Sequence, residues 1–151
     1  AEFCEEVLCG AKEENDRGDG WNWSILLDGE VIGRVRLSKR PSSTGELGYE
    51  IAPKHWTNGF ATEAVRAALE FGFGVQRLHR VQAYVFANND PSQRLLRKVG
   101  FAEEGCLREK VQWGEARMDD LIFGLLASEW EQAGYKRKGS RELRSQSCKS
   151  D

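Results

Sequence analysis

Ile51-Ala-Pro-Lys-His-Trp-Thr-Asn-Gly-Phe-Ala-Thr-Glu-Ala-Val65 is the stretch whose reading decides the fold. A β-like run from Glu46 to Ile51 leads into it and ends at Pro53. A short loop with one flexible glycine, Gly59, follows, and a helix is predicted to open on Ala61-Thr62-Glu63-Ala64. A strand that feeds a glycine-bearing turn and then a helix start presents several N–H groups in one direction. The first donors of a helix have no partner inside it, and the aligned peptide dipoles add about half a positive charge at that end. The stretch therefore reads as an anion site, with phosphate the usual occupant. Further along, Asn89-Asp-Pro-Ser92 gives a second strand-to-helix junction.

Working outward, Trp21 to Leu27 reads as a strand, Asp28-Gly29 as a tight hairpin turn and Val31 to Leu37 as the return strand. Lys39 to Gly45, with Pro41, reads as a loop, and Glu46 to Ile51 as a third strand. Before these, Phe3, Val7, Leu8 and Ala11 recur at helical spacing with acids between them, so residues 2–14 read as a helix that Gly18 and Gly20 end. Residues 60–73 read as a helix with Val65, Ala68 and Leu69 on its buried stripe. From His79 to Phe86 a strand points Val81, Ala83 and Val85 one way and Gln82, Tyr84 and Phe86 the other.

Asp90-Pro91-Ser92-Gln93 reads as a helix start, with Asp90 as cap, Pro91 in the first turn and Gln93 closing a capping box. Leu95, Leu96 and Val99 form its stripe, and Gly100 stops it. Phe101 to Gln112 and Arg117 to Leu126 read as strands joined by a turn near Gly114, and Ser128 as the cap of a last short helix containing Trp130. The order α-β-β-β-α-β-α-β-β-α predicts a mixed α/β (α+β) fold whose central sheet is mostly antiparallel and flanked by helices.

Composition narrows the function. The 151 residues suit one domain, expected over residues 1–134. With 40% hydrophobic and 30% charged residues the chain falls in the soluble globular class. The absence of an apolar run near the ~20 residues of a membrane span predicts no membrane partner. No leader is visible at Ala1, and a cytoplasmic location is expected. A net charge of −2, from 22 basic and 24 acidic residues, predicts no DNA partner, whose binder would carry a basic footprint. The basic residues collect in a polar tail over residues 135–151, with Lys136, Arg137, Lys138, Arg141, Arg144 and Lys149. That tail reads as a solvated end, or as a contact for an acidic partner such as ribosomal RNA. Cys4, Cys9, Cys106 and Cys148 show no C-x-x-C spacing and only His55 and His79 accompany them, so no metal is expected and the thiols are expected to be reduced.

The residues from Gly48-Tyr-Glu-Ile51 through Ala64 resemble the acetyl-CoA loop of the GNAT N-acetyltransferases. His79-Arg80-Val81, Asn89-Asp-Pro-Ser92, Lys98-Val-Gly-Phe101, Glu104-Gly-Cys-Leu-Arg108 and Asp119 to Phe123 resemble the RimJ/RimL branch, which acetylates ribosomal-protein N-termini. The likeness covers roughly residues 20–130, with the motifs in family order. In the family loop, usually Q/R-x-x-G-x-G/A, Trp56 holds the first position and Ala61 the last. Asn58 stands where Lys or Arg is frequent, which removes one side-chain phosphate contact. Family members normally carry another strand and helix first, so Ala1 is expected to enter at the second helix.

The resemblance implies an acetyl-CoA-dependent N-acetyltransferase with no metal. It places the CoA pyrophosphate on the N–H groups of Asn58, Gly59, Phe60, Ala61 and Thr62, counts Trp56 among the cofactor contacts, and lays the pantetheine along the strand ending at Ile51 in the manner of an added strand. Asn89 would bond the pantetheine amide and Ser92 the sulfur. A hydroxyl at a helix start can donate to a thiolate, and a thiol titrates at about 8.5 without help. Asp90-Pro91-Ser92 also reads as a plain helix cap. Acetyl transfer needs an uncharged amine, a polarised carbonyl and a stabilised thiolate. Glu50, nearest the loop, is the preferred base, through water, with Glu46 and Glu109 as alternatives, each of which reads equally as an exposed strand carboxylate. Tyr49 can donate a proton or pack. Lys98 can reach a phosphate or face solvent. His79 lacks a Ser partner, and Trp56 can shield the cofactor.

Without a cysteine placed for an intermediate, the amine is expected to attack directly. An α-amino group titrates near 7.7–8.0, so on the order of a tenth is neutral at pH 7, against roughly one lysine in 2,500. A peptide N-terminus, or another amine of low pKa, is therefore favoured over a lysine side chain. Small-molecule amines such as antibiotics or polyamines, or a CoA-binding relative without turnover, are the alternatives. Members of this branch often pair, which leaves a homodimer open.

Overall fold

The computed structural model describes residues 13–14 and 19–134. Among these residues seven strands form one sheet: β1 (Glu13–Glu14), β2 (Gly20–Leu27), β3 (Glu30–Arg40), β4 (Thr44–Ile51), β5 (Arg80–Phe86), β6 (Ala102–Trp113) and β7 (Ala116–Leu126). Their spatial order is β1-β2-β3-β4-β5-β7-β6, and only β4 and β5 run parallel. Three helices join them: α1 (Phe60–Leu69), α2 (Asp90–Val99) and α3 (Ala127–Gln132). This is the mixed, mostly antiparallel α/β architecture that the sequence predicts.

Alternation along the strands sorts the two faces. Trp21, Leu37, Leu47, Ala83 and Phe123 stand opposite one another across successive pairs and share one face. All five are buried. Ala64, Val65, Ala68 and Leu69 of α1 and Leu96 and Val99 of α2 are buried with them in one cluster, as are Phe73 and Trp130. Each fully buried large aliphatic or aromatic side chain stabilises the fold by about 1.5–3 kcal/mol. Phe71 packs edge-on against Trp21 and Trp23, with centroids 5.1 and 5.2 Å away. The other face is polar, with Arg34, Arg36 and Arg40 on β3 and Glu46 and Glu50 on β4.

Several local expectations are corrected. Asp28 and Gly29 take positive φ as the hairpin requires, but the loop expected over Lys39 to Gly45 is mostly strand. Lys39 pairs with Gly45 and Arg40 with Thr44, leaving Pro41-Ser42-Ser43 as the turn. The Lys39 ammonium over the Trp21 ring, at 4.7 Å, and the Arg40–Glu46 ion pair, at 2.9 Å, favour this extension. The helix expected over 60–73 is α-helical only to Leu69 and then widens into a π-turn over Glu70–Val75, which contains Gly72 and Gly74.

Glu13 and Glu14, expected at a helix end, pair with Asn22 and Trp21 as β1. The rest of the helix expected over 2–14 and the tail over 135–151 lie outside the described residues, as do Cys4, Cys9 and Cys148. The helix α3 begins at Ala127 rather than being capped by Ser128. The Leu126 N–H donates to Glu129 Oε1 at 2.9 Å, so the carboxylate takes the capping role from three residues inside.

Candidate active site

The parallel pair β4–β5 is zipped only part of the way. Thr44 to Leu47 pair with Arg80 to Ala83, and pairing then stops, although β4 continues to Ile51 and β5 to Phe86. Each strand stays fully paired on its other side, β4 with β3 and β5 with β7. The result is a wedge that opens toward the carboxyl ends of two parallel strands, the place where open α/β sheets bind ligands.

Backbone pairing fixes which groups line the wedge. Ala52 N donates to Ile32 O at 2.8 Å, so Gly33 and Ile51 form a non-hydrogen-bonded pair. Tyr49 and Ile51 therefore turn their N–H and C=O groups away from β3 and into the wedge. Ala87 N donates to Asp119 O at 3.0 Å, which by the same rule turns the backbone groups of Tyr84 and Phe86 inward from β5. Gly33 holds the β3 side of the mouth close. A Cβ there would stand 2.4 Å from Glu50 O and 3.0 Å from Ile51 Cα.

The loop beyond Ile51 begins with a 3₁₀ turn, Pro53–His55. Trp56 Nε1 donates to Ile51 O at 2.8 Å and ties the loop to the strand end, with the Trp56 ring 57% exposed. The Ile51 carbonyl is thus engaged, while its N–H faces the wedge. Thr57 and Gly59 both take left-handed backbone, at φ 68° and 80°, and Asn58 between them is exposed. Helix α1 then starts at Phe60, whose buried ring packs near His55 at 6.1 Å. Its ladder begins with Glu63 N to Gly59 O at 3.1 Å, and among the described residues no side chain caps the end. The amides of Ala61 and Thr62 lie ahead of that ladder, in the field of the helix dipole.

On the far side of the wedge stands the start of α2. Asn89, rather than Asp90, is its N-cap: Asn89 Oδ1 accepts from Ser92 N at 3.2 Å. Gln93 does not close a capping box. It is buried, and its Nε2 donates to Phe86 O at 3.3 Å and Ala87 O at 2.9 Å, bracing the end of β5. The Ser92 Oγ and Tyr49 Oη share a hydrogen bond across the wedge, from α2 to β4. Burial pushes the Tyr49 phenol above its ordinary value, partly opposed by that Ser92 contact.

The chain brings Ser92 together with Tyr49 and not with Glu50. Glu50 stands on the polar face, exposed and paired with Arg34 at 2.9 Å, and Glu46 is paired there with Arg40. Glu109 lies three strands from β4, on β6, where its N–H donates to Asp119 Oδ1 at 2.8 Å. Lys98 and His79 are exposed. Among the described residues no group of three or more His, Cys, Asp or Glu is placed to hold a metal, Cys106 is a free thiol, and no helix is long and apolar enough to cross a membrane. Reading the sequence missed Gly33, the brace that Gln93 gives the end of β5 and the Tyr49–Ser92 contact. A glycine inside an alternating strand is the one signal that could have pointed to a close backbone approach.

A family described as the acetyltransferase (GNAT) domain matches residues 1–102. The uncharacterized N-acetyltransferase YoaA of Bacillus subtilis is 34% identical over 115 residues, 75% of this chain and 65% of YoaA. YnaD of the same organism, also an uncharacterized N-acetyltransferase, is 34% identical over 131 residues, 85% of this chain and 77% of YnaD. Among solved structures, Mycobacterium smegmatis RimJ in complex with CoA-disulfide superposes with a TM-score of 0.69 at 29% identity, covering 81% of this chain and 64% of RimJ. The chain belongs to the GNAT acetyltransferase domain family. It spans about two thirds of the length of the first curated relatives it matches, 65% and 66%.

Proposed function

We propose that this protein is an acetyl-CoA-dependent N-acetyltransferase that moves an acetyl group to a primary amine by direct attack in a ternary complex. The observation that carries the reading is the half-zipped β4–β5 pair beside an uncapped helix start. A diphosphate bound at Gly59, Ala61 and Thr62 and an extended chain lying in the wedge are what such a pair of features suits. The residues fit the cofactor: Trp56, Asn58 and Phe60 frame the loop, Ile51 offers its N–H to the pantetheine, and the Asn89 amide NH₂ can donate alongside it.

The cosubstrate would supply an acyl group already activated as a thioester. The chain's part is to orient, polarise and move protons. Ser92 and Tyr49 present a pair of hydroxyls where the wedge closes on α2, and Ser92 in the first turn of that helix is suited to donate to a departing thiolate. The raised phenol pKa keeps Tyr49 protonated and able to replenish that proton. Glu50, exposed at the mouth of the wedge, would take the amine proton through water. A base so weakly placed favours an acceptor that is already partly neutral. The α-amino group, near 7.7–8.0, meets that condition far better than a lysine near 10.4. A peptide N-terminus is thus the proposed acceptor class.

Calorimetry with acetyl-CoA, followed by a free-thiol release assay over peptides, polyamines and aminoglycosides, tests this. Saturable binding and release with free-N-terminal peptides are expected. Lack of binding at millimolar acetyl-CoA would refute the reading. Binding without release from any amine would replace it by a non-catalytic CoA-binding role, and release with polyamines or aminoglycosides alone would replace the acceptor class.

A further inference from the structure

We propose that Tyr84 and Asp120 form a cradle for the alkylammonium group of an acceptor, on the polar face beside the wedge, and that Lys110 occupies this cradle until an acceptor displaces it. Its meaning as an acceptor site rests on the transferase reading above. Tyr84 is the first residue of β5 past the end of its pairing with β4, and Asp120 stands directly opposite Phe86, two residues further along. Residues opposite each other in an antiparallel pair share a face, so Tyr84, Phe86 and Asp120 all point away from the helices. Tyr84 and Phe86 are each 36% exposed there.

Asp120 is the unusual member. It is 5% exposed, and its Oδ1 is buried without a hydrogen-bond partner among the described residues, while Oδ2 accepts from Lys110 Nζ at 3.3 Å. A buried carboxylate oxygen without a donor is costly and calls for one. The same Lys110 ammonium lies 4.0 Å from the centroid of the Tyr84 ring. A primary ammonium thus already sits between an aromatic face and a buried carboxylate, the pair of groups that recognises an alkylammonium.

The cradle and its occupant differ in anchorage. Tyr84 and Asp120 belong to β5 and β7, each flanked on both sides in the sheet, whereas Lys110 belongs to the outer strand β6. There the register slips: Leu107 pairs with Asp120 and Val111 with Met118, so three residues of β6 face one of β7. Glu109 takes φ 52° at this bulge, held by its N–H to Asp119 Oδ1 and by Arg117 Nη1 to Glu109 O at 3.2 Å. Bulges re-aim side chains, and this one presents Lys110 over Tyr84. The Lys110 side chain is 46% exposed against 7% for Asp120, so the amine can leave for solvent while the cradle stays in place.

The test is titration of n-butylammonium chloride into the isotope-labelled full chain, read by NMR at the Tyr84 ring and the Lys110 amide, with acetyl-CoA calorimetry in parallel. Saturable shifts at both positions are expected. Lys110→Met should tighten the apparent dissociation constant by about threefold or more, and Tyr84→Leu should weaken it by a similar factor. Asp120→Asn should weaken it by about tenfold or more. A Tyr84 ring that does not respond, in wild type or in Lys110→Met, would overturn the proposal. So would shifts that Tyr84→Leu and Asp120→Asn leave unchanged, since Tyr84→Leu keeps the buried acid and guards against a folding defect. If acetyl-CoA binds and the ring stays still, this inference fails alone. If the ring responds and acetyl-CoA does not bind, the cradle stands and the transferase reading falls.

Discussion

Replacing Gly59 by alanine separates the cost of holding the loop from the use made of it. Gly59 has φ +80°, a conformation that glycine adopts freely and alanine resists, and an added Cβ would meet nothing within 4 Å. Steric clash therefore contributes nothing, and only the left-handed penalty of about 1–2 kcal/mol applies. With a urea m-value of about 1–3 kcal/mol/M, Gly59→Ala should lower the unfolding midpoint by roughly 0.3–1 M or somewhat more. The effect on ligand should be larger. The methyl group would stand at the open turn where the proposed diphosphate would approach, and the pull of φ toward negative values would tilt the amides that follow. Losing one charge-assisted hydrogen bond costs about 1.5–3 kcal/mol, so calorimetry should find acetyl-CoA bound about 10–100-fold more weakly. A variant that loses the calculated stability yet binds within about twofold of wild type would show that these amides do not hold the ligand.

Gly33→Ala acts by the opposite route: its Cβ meets Glu50 O at 2.4 Å, so β4 must shift at the wedge mouth, with an expected loss of about 1–3 kcal/mol in chemical denaturation and a weaker acetyl-CoA complex. Wild-type stability would mean that the close approach is not rigid. Ser92→Ala and Tyr49→Phe should each slow thiol release, and their double-mutant cycle should show coupling of about 0.5–1.5 kcal/mol; additive effects would separate the two hydroxyls. Absorbance titration at 295 nm should lose, in Tyr49→Phe, a phenol that ionises above the ordinary value near 10, and loss of one ionising at that value would contradict its burial.

The Arg80 guanidinium, 2.6 Å from Glu104, holds that carboxyl below its ordinary value. A depressed folded-state pKa means the contribution is present above the unfolded value near 4.3 and is lost as pH falls through the folded one. The stability gap between wild type and Glu104→Gln should thus be open at neutral pH and close on acidification. A gap that widens in acid would reverse the assignment.

Much of the fold was legible because periodicity and turn chemistry are local. Asp28-Gly29 announced its hairpin, Gly100 ended α2 at φ 118°, and the alternation of Val81, Ala83 and Val85 named the buried face of β5. The misreadings share a cause. The segment Lys39–Gly45 looked like a loop because its strand character comes from cross-strand partners, Trp21 and Glu46, that a local reading does not weigh. The cap passed from Asp90 to Asn89, and Gln93 turned to the β5 carbonyls, because both were competing for groups that only the fold brings near. Near the candidate site, the glycine-bearing turn and the helix start after it could be read from sequence, since Gly59 at φ 80° and the helix opening at Phe60 are local features. The wedge could not, because an interrupted ladder between β4 and β5 leaves no mark in either strand.

The most direct measurement is a backbone-amide NMR titration with CoA. Gly59, Ala61 and Thr62 in the loop and Tyr49, Ile51 and Tyr84 in the wedge are expected to shift together with one dissociation constant. Saturation that leaves Gly59, Ala61 and Thr62 unmoved would contradict this expectation.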